Sequence, residues 1–132
     1  MGYTLVNLKE VEDVAPSIGA APNLEARFPT KQLELQKLAM SYQRLAPNVR
    51  APFAHRQKQQ EEVYVILAGG GRMKADDEIV QVRRWDAVRV PPETTRAFEA
   101  GPEGLEFLAF GAPSTPGGPS GDGEIVEGWW ID

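Results

Sequence analysis

Hydrophobic positions in the middle of the chain fall in short runs bounded by glycine, proline and aspartate. Glu62-Val63-Tyr64-Val65-Ile66-Leu67-Ala68 is rich in β-branched and aromatic residues, which suit a pleated, half-buried strand. The run stops at Gly69-Gly70-Gly71, which predicts a hairpin turn. Arg72-Met73-Lys74-Ala75 alternates into a turn at Asp76-Asp77, and Glu78-Ile79-Val80-Gln81-Val82 leads out of it. Ala87-Val88-Arg89-Val90 ends at Pro91-Pro92. Leu105-Glu106-Phe107-Leu108-Ala109-Phe110 follows a predicted turn at Gly101-Pro102-Glu103-Gly104. Strands at this spacing, joined by short turns, predict a sandwich or barrel.

Outside this block the pattern is less decisive. Leu35, Leu38 and Tyr42 recur at helical intervals, while Leu38, Met40 and Tyr42 alternate as in a strand. Pattern alone slightly favours a helix from Leu33 to Leu45; a strand is assigned because a barrel needs one there. A helix, if present at all, is expected near Lys9 to Val14. Residues 112–123 are rich in Pro, Gly and Ser and predict a mobile loop. Residues 124–132 regain apolar character with Trp129 and Trp130, so this tail should dock on the barrel or on a second subunit. The tryptophans could instead form a lid over a pocket mouth. Tyr3 to Leu8 alternates without an evident partner strand in so short a chain.

Composition narrows the function classes. A chain of 132 residues with 42% hydrophobic and 25% charged residues reads as one soluble domain with a real core, here centred on residues 33–111. Its 13 glycines and 11 prolines are spread out, as many turns would require. A net charge of −5, with no basic run, argues against nucleic acid or an anionic membrane as partner. The first ten residues lack the basic and apolar blocks of a signal peptide, and no apolar stretch approaches spanning length. A cytoplasmic location is expected. The absence of cysteine removes disulfides, thiolate catalysis and sulfur-based zinc sites. His55 is the single histidine, so a metal site within one chain has at most one imidazole.

Around that histidine the stretch His55-Arg56-Gln57-Lys58-Gln59-Gln60-Glu61-Glu62, with Gly69 seven residues after Glu62, resembles the first motif of the cupin superfamily. That motif carries two histidines one residue apart, a glutamate five residues after the second, and a glycine seven later. Trp85-Asp86, Pro91 and Arg96 resemble the second motif, with Arg96 where a third histidine belongs. The resemblance spans about Leu38 to Gly111. It implies an all-β, antiparallel double-stranded β-helix (jelly-roll) barrel, often a homodimer, like the small stand-alone cupins without an assigned activity. Residues two apart on a strand share a face, so His55 and Gln57 should both point into the lumen, joined there by Glu62 and Arg96.

In metal-bearing cupins these four positions hold the ion. Here two depart from the pattern. Gln57 offers a neutral amide oxygen, a poor ligand for borderline transition metals. The Arg96 guanidinium stays protonated and repels a dication. Each unit-charge pair at ~4 Å is of order 4 kcal/mol at an effective dielectric near 20, about doubled for a divalent ion. Trp85 and Glu93 replace two further family glycines. No cofactor is therefore expected; weak divalent-metal binding would fall to His55, Gln57 and Glu62.

Several readings stay open on these residues. Arg96 either pairs with Glu62 across the lumen or holds the carboxylate or phosphate of an anionic ligand. His55 is either an inherited lumen residue or a general acid–base oriented by Glu62. Tyr42 and Tyr64 are either wall or proton donors. The leading expectation is a metal-free barrel binding a small molecule through His55, Gln57, Glu62, Arg96 and Tyr42. The alternatives are a metal-independent isomerase or epimerase using His55 with Glu62 or Tyr64, a metal-dependent dioxygenase or isomerase, and an interaction module that uses its edges alone.

Overall fold

Eight strands carry the fold in the computed structural model, which describes residues 2–114 and 122–131. They are β1 (Leu24–Arg27), β2 (Ala39–Leu45), β3 (Ala54–Gln57), β4 (Glu61–Ala75), β5 (Glu78–Arg83), β6 (Ala87–Val90), β7 (Arg96–Ala112) and β8 (Gly123–Val126). Every pairing is antiparallel. Two 3-10 turns, Leu8–Glu10 and Pro16–Ile18, precede the sheet; the first overlaps the stretch where a helix was least unexpected. The all-β antiparallel barrel expected from the sequence is what the chain forms.

The long strands β4 and β7 make its spine. They pair from Glu61 opposite Ala112 to Ala75 opposite Arg96. β5 and β6 lie along the other side of β4, β2 and then β1 extend from one half of β7, and β3 and β8 extend from the other. The chain reverses at Asp76-Asp77, as predicted, with Asp76 at φ 50°.

The two predicted glycine turns are not reversals. β4 runs straight through Gly69-Gly70-Gly71 and β7 through Gly101-Pro102-Glu103-Gly104. The two stretches face each other at a register shift, with Gly70 alone between ladder positions that lie well apart on β7, Leu105 and Ala100. Gly69 (φ +70°) and Gly104 (φ +80°) take left-handed backbone, and a Cβ on Gly69 would lie 2.0 Å from the Gly104 carbonyl oxygen. Glycine here licenses a bulge that bends a continuous ribbon into a barrel wall.

Two other expectations need adjustment. The strand assigned to Leu33–Leu45 begins only at Ala39; Thr30 to Leu35 is a turn closed by Leu33 N–H to Pro29 O and Leu35 N–H to Thr30 O. β1 and β8 extend the barrel beyond the 33–111 core on both sides. Most of the predicted mobile loop lies outside the described residues. Beyond it the tail does dock: β8 pairs with β3, and Trp130 buries against Ala54 and Ala97 beneath the guanidinium of Arg50, 4.5 Å from the ring.

Inside, Leu45, Ile66, Val90 and Leu105 are almost fully buried. Tyr64, Phe98 and Phe107 form an aromatic cluster, with Phe98 stacked on Phe107 at 4.7 Å and Tyr64 edge-on to both.

Candidate functional site

One end of the barrel interior is polar, and three strands build it. His55 and Gln57 alternate inward on β3 while Arg56, between them, points out to Glu124 at 3.0 Å. Glu62 lies at the start of β4 and Tyr64 follows on the same face. Arg96 opens β7 directly opposite His55. The four positions singled out by the motifs therefore converge, as the two-residue strand period requires.

Arg96 has no solvent exposure. Its Nη2 donates to Glu62 Oε1, and its Nε donates to the Tyr64 hydroxyl oxygen at 3.1 Å. Nη1 donates to the carbonyls of Thr94 at 2.8 Å and Pro92 at 3.0 Å, with that of Pro91 at 3.4 Å. All three guanidinium nitrogens have protein partners, so no planar fork faces the lumen for a carboxylate or phosphate. Of the two readings of Arg96, the geometry forms the buried pair with Glu62.

Glu62 Oε1 also accepts from the Tyr64 hydroxyl at 2.7 Å, and His55 Nε2 lies 3.3 Å away. Burial pushes this carboxyl up, but the hydrogen bond from His55, the Arg96 charge and the Tyr64 hydroxyl outweigh it and hold it at about 2. Burial, reinforced by the Glu62 charge, drives the Tyr64 phenol well above its ordinary value. With its proton on Glu62 and its oxygen accepting from Arg96, Tyr64 is a fixed strut, not a proton donor to a ligand. Burial works against the Arg96 charge too, yet Tyr64 and Glu62 overcompensate and the guanidinium stays protonated. His55 is the titratable group of the cluster that remains partly open, with 31% of its side chain exposed.

Tyr42 does not join them. On β2 the cavity wall is made by Ala39, Ser41, Gln43 and Leu45, with Met40 at its edge, and Tyr42 is not part of it. Its hydroxyl donates to Glu106 and its ring lies under the Lys9 ammonium. It is withdrawn as a ligand contact.

Sequence reasoning missed Gln60 and Asp122. Gln60 Oε1 accepts from Gln57 Nε2 at 3.4 Å, and Gln60 Nε2 donates to the Pro113 carbonyl at 3.3 Å. Its amide lies close on Gly111, where a Cβ would come within 2.4 Å of it. Asp122 accepts from the backbone N–H groups of Gln59 and Gln60, pinning the β3–β4 turn. Gln60 sits three residues from Gln57 and could have been suspected; Asp122 lies in a Pro/Gly-rich stretch with no local signal.

Beyond the cluster the interior opens into a cavity of about 380 Å³. Its walls include Leu24, Phe28, Phe53, Phe98, Phe107 and Ile125. An apolar chamber with polar groups gathered at one end is the usual form of a small-molecule site.

Donors suited to a divalent metal are few at the polar end. Among the described residues no three His, Cys, Asp or Glu side chains are grouped to hold an ion. His55 and Glu62 are the two competent donors, Glu62 Oε1 already accepts from Arg96 and Tyr64, and the Arg96 charge is bonded directly to the carboxylate.

Comparison with known proteins agrees with the architecture. No family model matches the chain. A 45-residue stretch, 34% of the chain, is 38% identical to the uncharacterized protein MJ1618 of Methanocaldococcus jannaschii and spans 36% of that protein. The cupin protein BF4112 of Bacteroides fragilis superimposes with a TM-score of 0.70 at 22% identity, over 98% of this chain and 92% of that one. A variant of Bacillus subtilis oxalate decarboxylase gives a TM-score of 0.74 at 20% identity, over 93% of this chain but 33% of that one. A variant of Streptomyces PAC13, solved with uridine, gives 0.71 at 14% identity, over 93% and 90%. Identities this low speak to the fold, and the fold is that of a small cupin. No helix among the described residues is long and apolar enough to cross a membrane.

Proposed function

We propose that this protein is a metal-free cupin that binds a small molecule in its lumen. The reading rests on one observation: the Arg96 guanidinium is bonded to Glu62 at the site where the family places its ion, while a cavity of about 380 Å³ stays open beside it. A fixed cation supplies the positive charge that the carboxylate needs, so the Glu62–Arg96 pair compensates itself without a metal. A structurally similar barrel, PAC13, was solved with uridine, and oxalate decarboxylase is named for a small substrate; both are consistent with a lumen that takes small ligands. The test is NMR of labelled protein titrated in turn with zinc and with a set of aromatic fragments. Fragment-induced shifts confined to lumen residues such as Leu45, Phe98 and Ile125, with no saturable zinc response, support the reading. Saturable zinc shifts centred on His55 contradict it.

A second reading has its own support. His55 Nε2 faces Glu62 at 3.3 Å and the ring is partly open, the arrangement of a base held by a carboxylate. A metal-independent isomerase or epimerase would use that imidazole to move a proton on a lumen ligand, without Tyr64. The protein is also taken as a homodimer, because Tyr3 and Leu5 are 84% and 83% exposed and join no strand of their own chain.

A further inference from the structure

Gln57 is deeply buried, with a relative exposure of 5%, yet its side-chain oxygen has no hydrogen-bond partner. The orientation of the amide follows from its neighbours. Gln60 Nε2 donates to the Pro113 carbonyl, which turns Gln60 Oε1 towards Gln57, and Gln57 must then present its own Nε2 to it. Gln57 Oε1 is left over, on a residue that lines the cavity. A buried, unsatisfied acceptor is costly and rare in native structures, and one carried by a residue of a ligand-sized chamber points to what enters the chamber.

The rest of the polar end repeats this bias. The three hydrogen bonds on the Glu62 carboxylate fall on Oε1. Each of the three Arg96 nitrogens donates to a protein acceptor. Glu62 and Arg96 cancel in charge. Next to Gln57 the lumen therefore presents a free acceptor beside a self-compensated ion pair, with the partly open His55 and Ser41 further along the wall and an apolar body lined by Phe53, Phe98 and Phe107.

Resting on the lumen-binding reading, we propose that the ligand is an uncharged molecule with an apolar or aromatic body and an N–H or O–H donor head, hydrogen-bonded to Gln57 Oε1. Primary amides, phenols and nucleobase-like rings belong to this class; simple carboxylates do not. The polar end discriminates by its unmet acceptor, since a ligand lacking the donor leaves that acceptor unpaired.

The experiment is NMR titration of the full chain with benzamide, N,N-dimethylbenzamide, benzoate, benzylamine and toluene, following lumen residues. Benzamide should bind about tenfold more tightly than the dimethyl compound, the fold-change of roughly 1.4 kcal/mol. Gln57→Leu and the straighter Gln57→Met should each erase that preference, whatever they do to the binding of toluene. Lumen shifts with benzamide and its dimethyl analogue equal, or a preference that survives both variants, overturn the donor-head assignment and leave lumen binding standing. Tighter binding of benzoate or benzylamine overturns the uncharged class. No lumen shift from any of the five compounds overturns the lumen-binding reading itself.

Discussion

Arg96, the opening residue of β7, and Glu62, at the start of β4, form a buried ion pair at one end of the barrel interior. Arg96 is wholly buried and Glu62 8% exposed, so neither charge has water to fall back on. Their pairing ties together β4, β7 and the Pro91–Thr94 turn through one guanidinium.

Breaking the pair from one side should be severe. Arg96→Met leaves Glu62 charged and buried, with an expected loss of about 3–5 kcal/mol. Adding Glu62→Gln to Arg96→Met should recover a large part of that loss, because the uncompensated charge is gone. Urea denaturation of the parent, both single variants and the double variant reads the coupling directly.

Acid should unfold the protein through the same carboxylate. Glu62 is held at about 2 in the folded state against 4.5 for an unperturbed glutamate, so the folded chain binds fewer protons than the unfolded one. Its contribution is full above pH 4.5 and is lost as pH falls towards 2, at most about 3 kcal/mol for this shift. Glu25, bonded to Lys9, Arg27 and Arg44 and likewise lowered to about 2, acts in the same window. Stability measured across the acid range, from near neutrality down to the folded-state value of Glu62, should fall, and Glu62→Gln should flatten the slope.

Much of this site was legible in the sequence, and the reasons are local. The strand period put His55 and Gln57 on one face, and the resemblance to the cupin motifs placed Glu62 and Arg96 with them. Tyr42 was misplaced because a period of two gives alternation but not phase: Ser41 and Gln43 took the lumen, and the tyrosine is buried away from it against Lys9 and Glu106. The glycine runs were misread because the same residue serves a reversal and a bulge. Only the approach of Gly69 to Gly104, far along the chain, distinguishes the two, and that contact is tertiary. The unpaired oxygen of Gln57 depends on a chain of bonds through Gln60 to Pro113, which no local pattern announces.

Trp85 offers a stabilising change. The motif has glycine there, and Trp85 indeed takes left-handed backbone at φ 76° while the residue is 68% exposed. Glycine relieves a strain of about 1–2 kcal/mol, partly offset by its own unfolded-state entropy. Trp85→Gly should raise the midpoint of thermal unfolding by a few degrees, as differential scanning calorimetry would show.

The N-terminal segment should pair with a second copy of the chain. Sedimentation at tens of micromolar should give twice the chain mass, and Tyr3→Ser with Leu5→Ser should shift it towards monomer. A monomeric parent removes the idea.

The proposed replacement of a metal by Arg96 is tested most directly by metal content. Elemental analysis of the purified parent, grown and dialysed with iron, manganese, zinc, nickel and copper, should find well under one equivalent of any of them. The double variant Gln57→His, Arg96→His should take up stoichiometric metal, and Gln57→His alone should take up less, because the Arg96 charge remains. One tightly held equivalent in the unmodified protein would contradict the replacement.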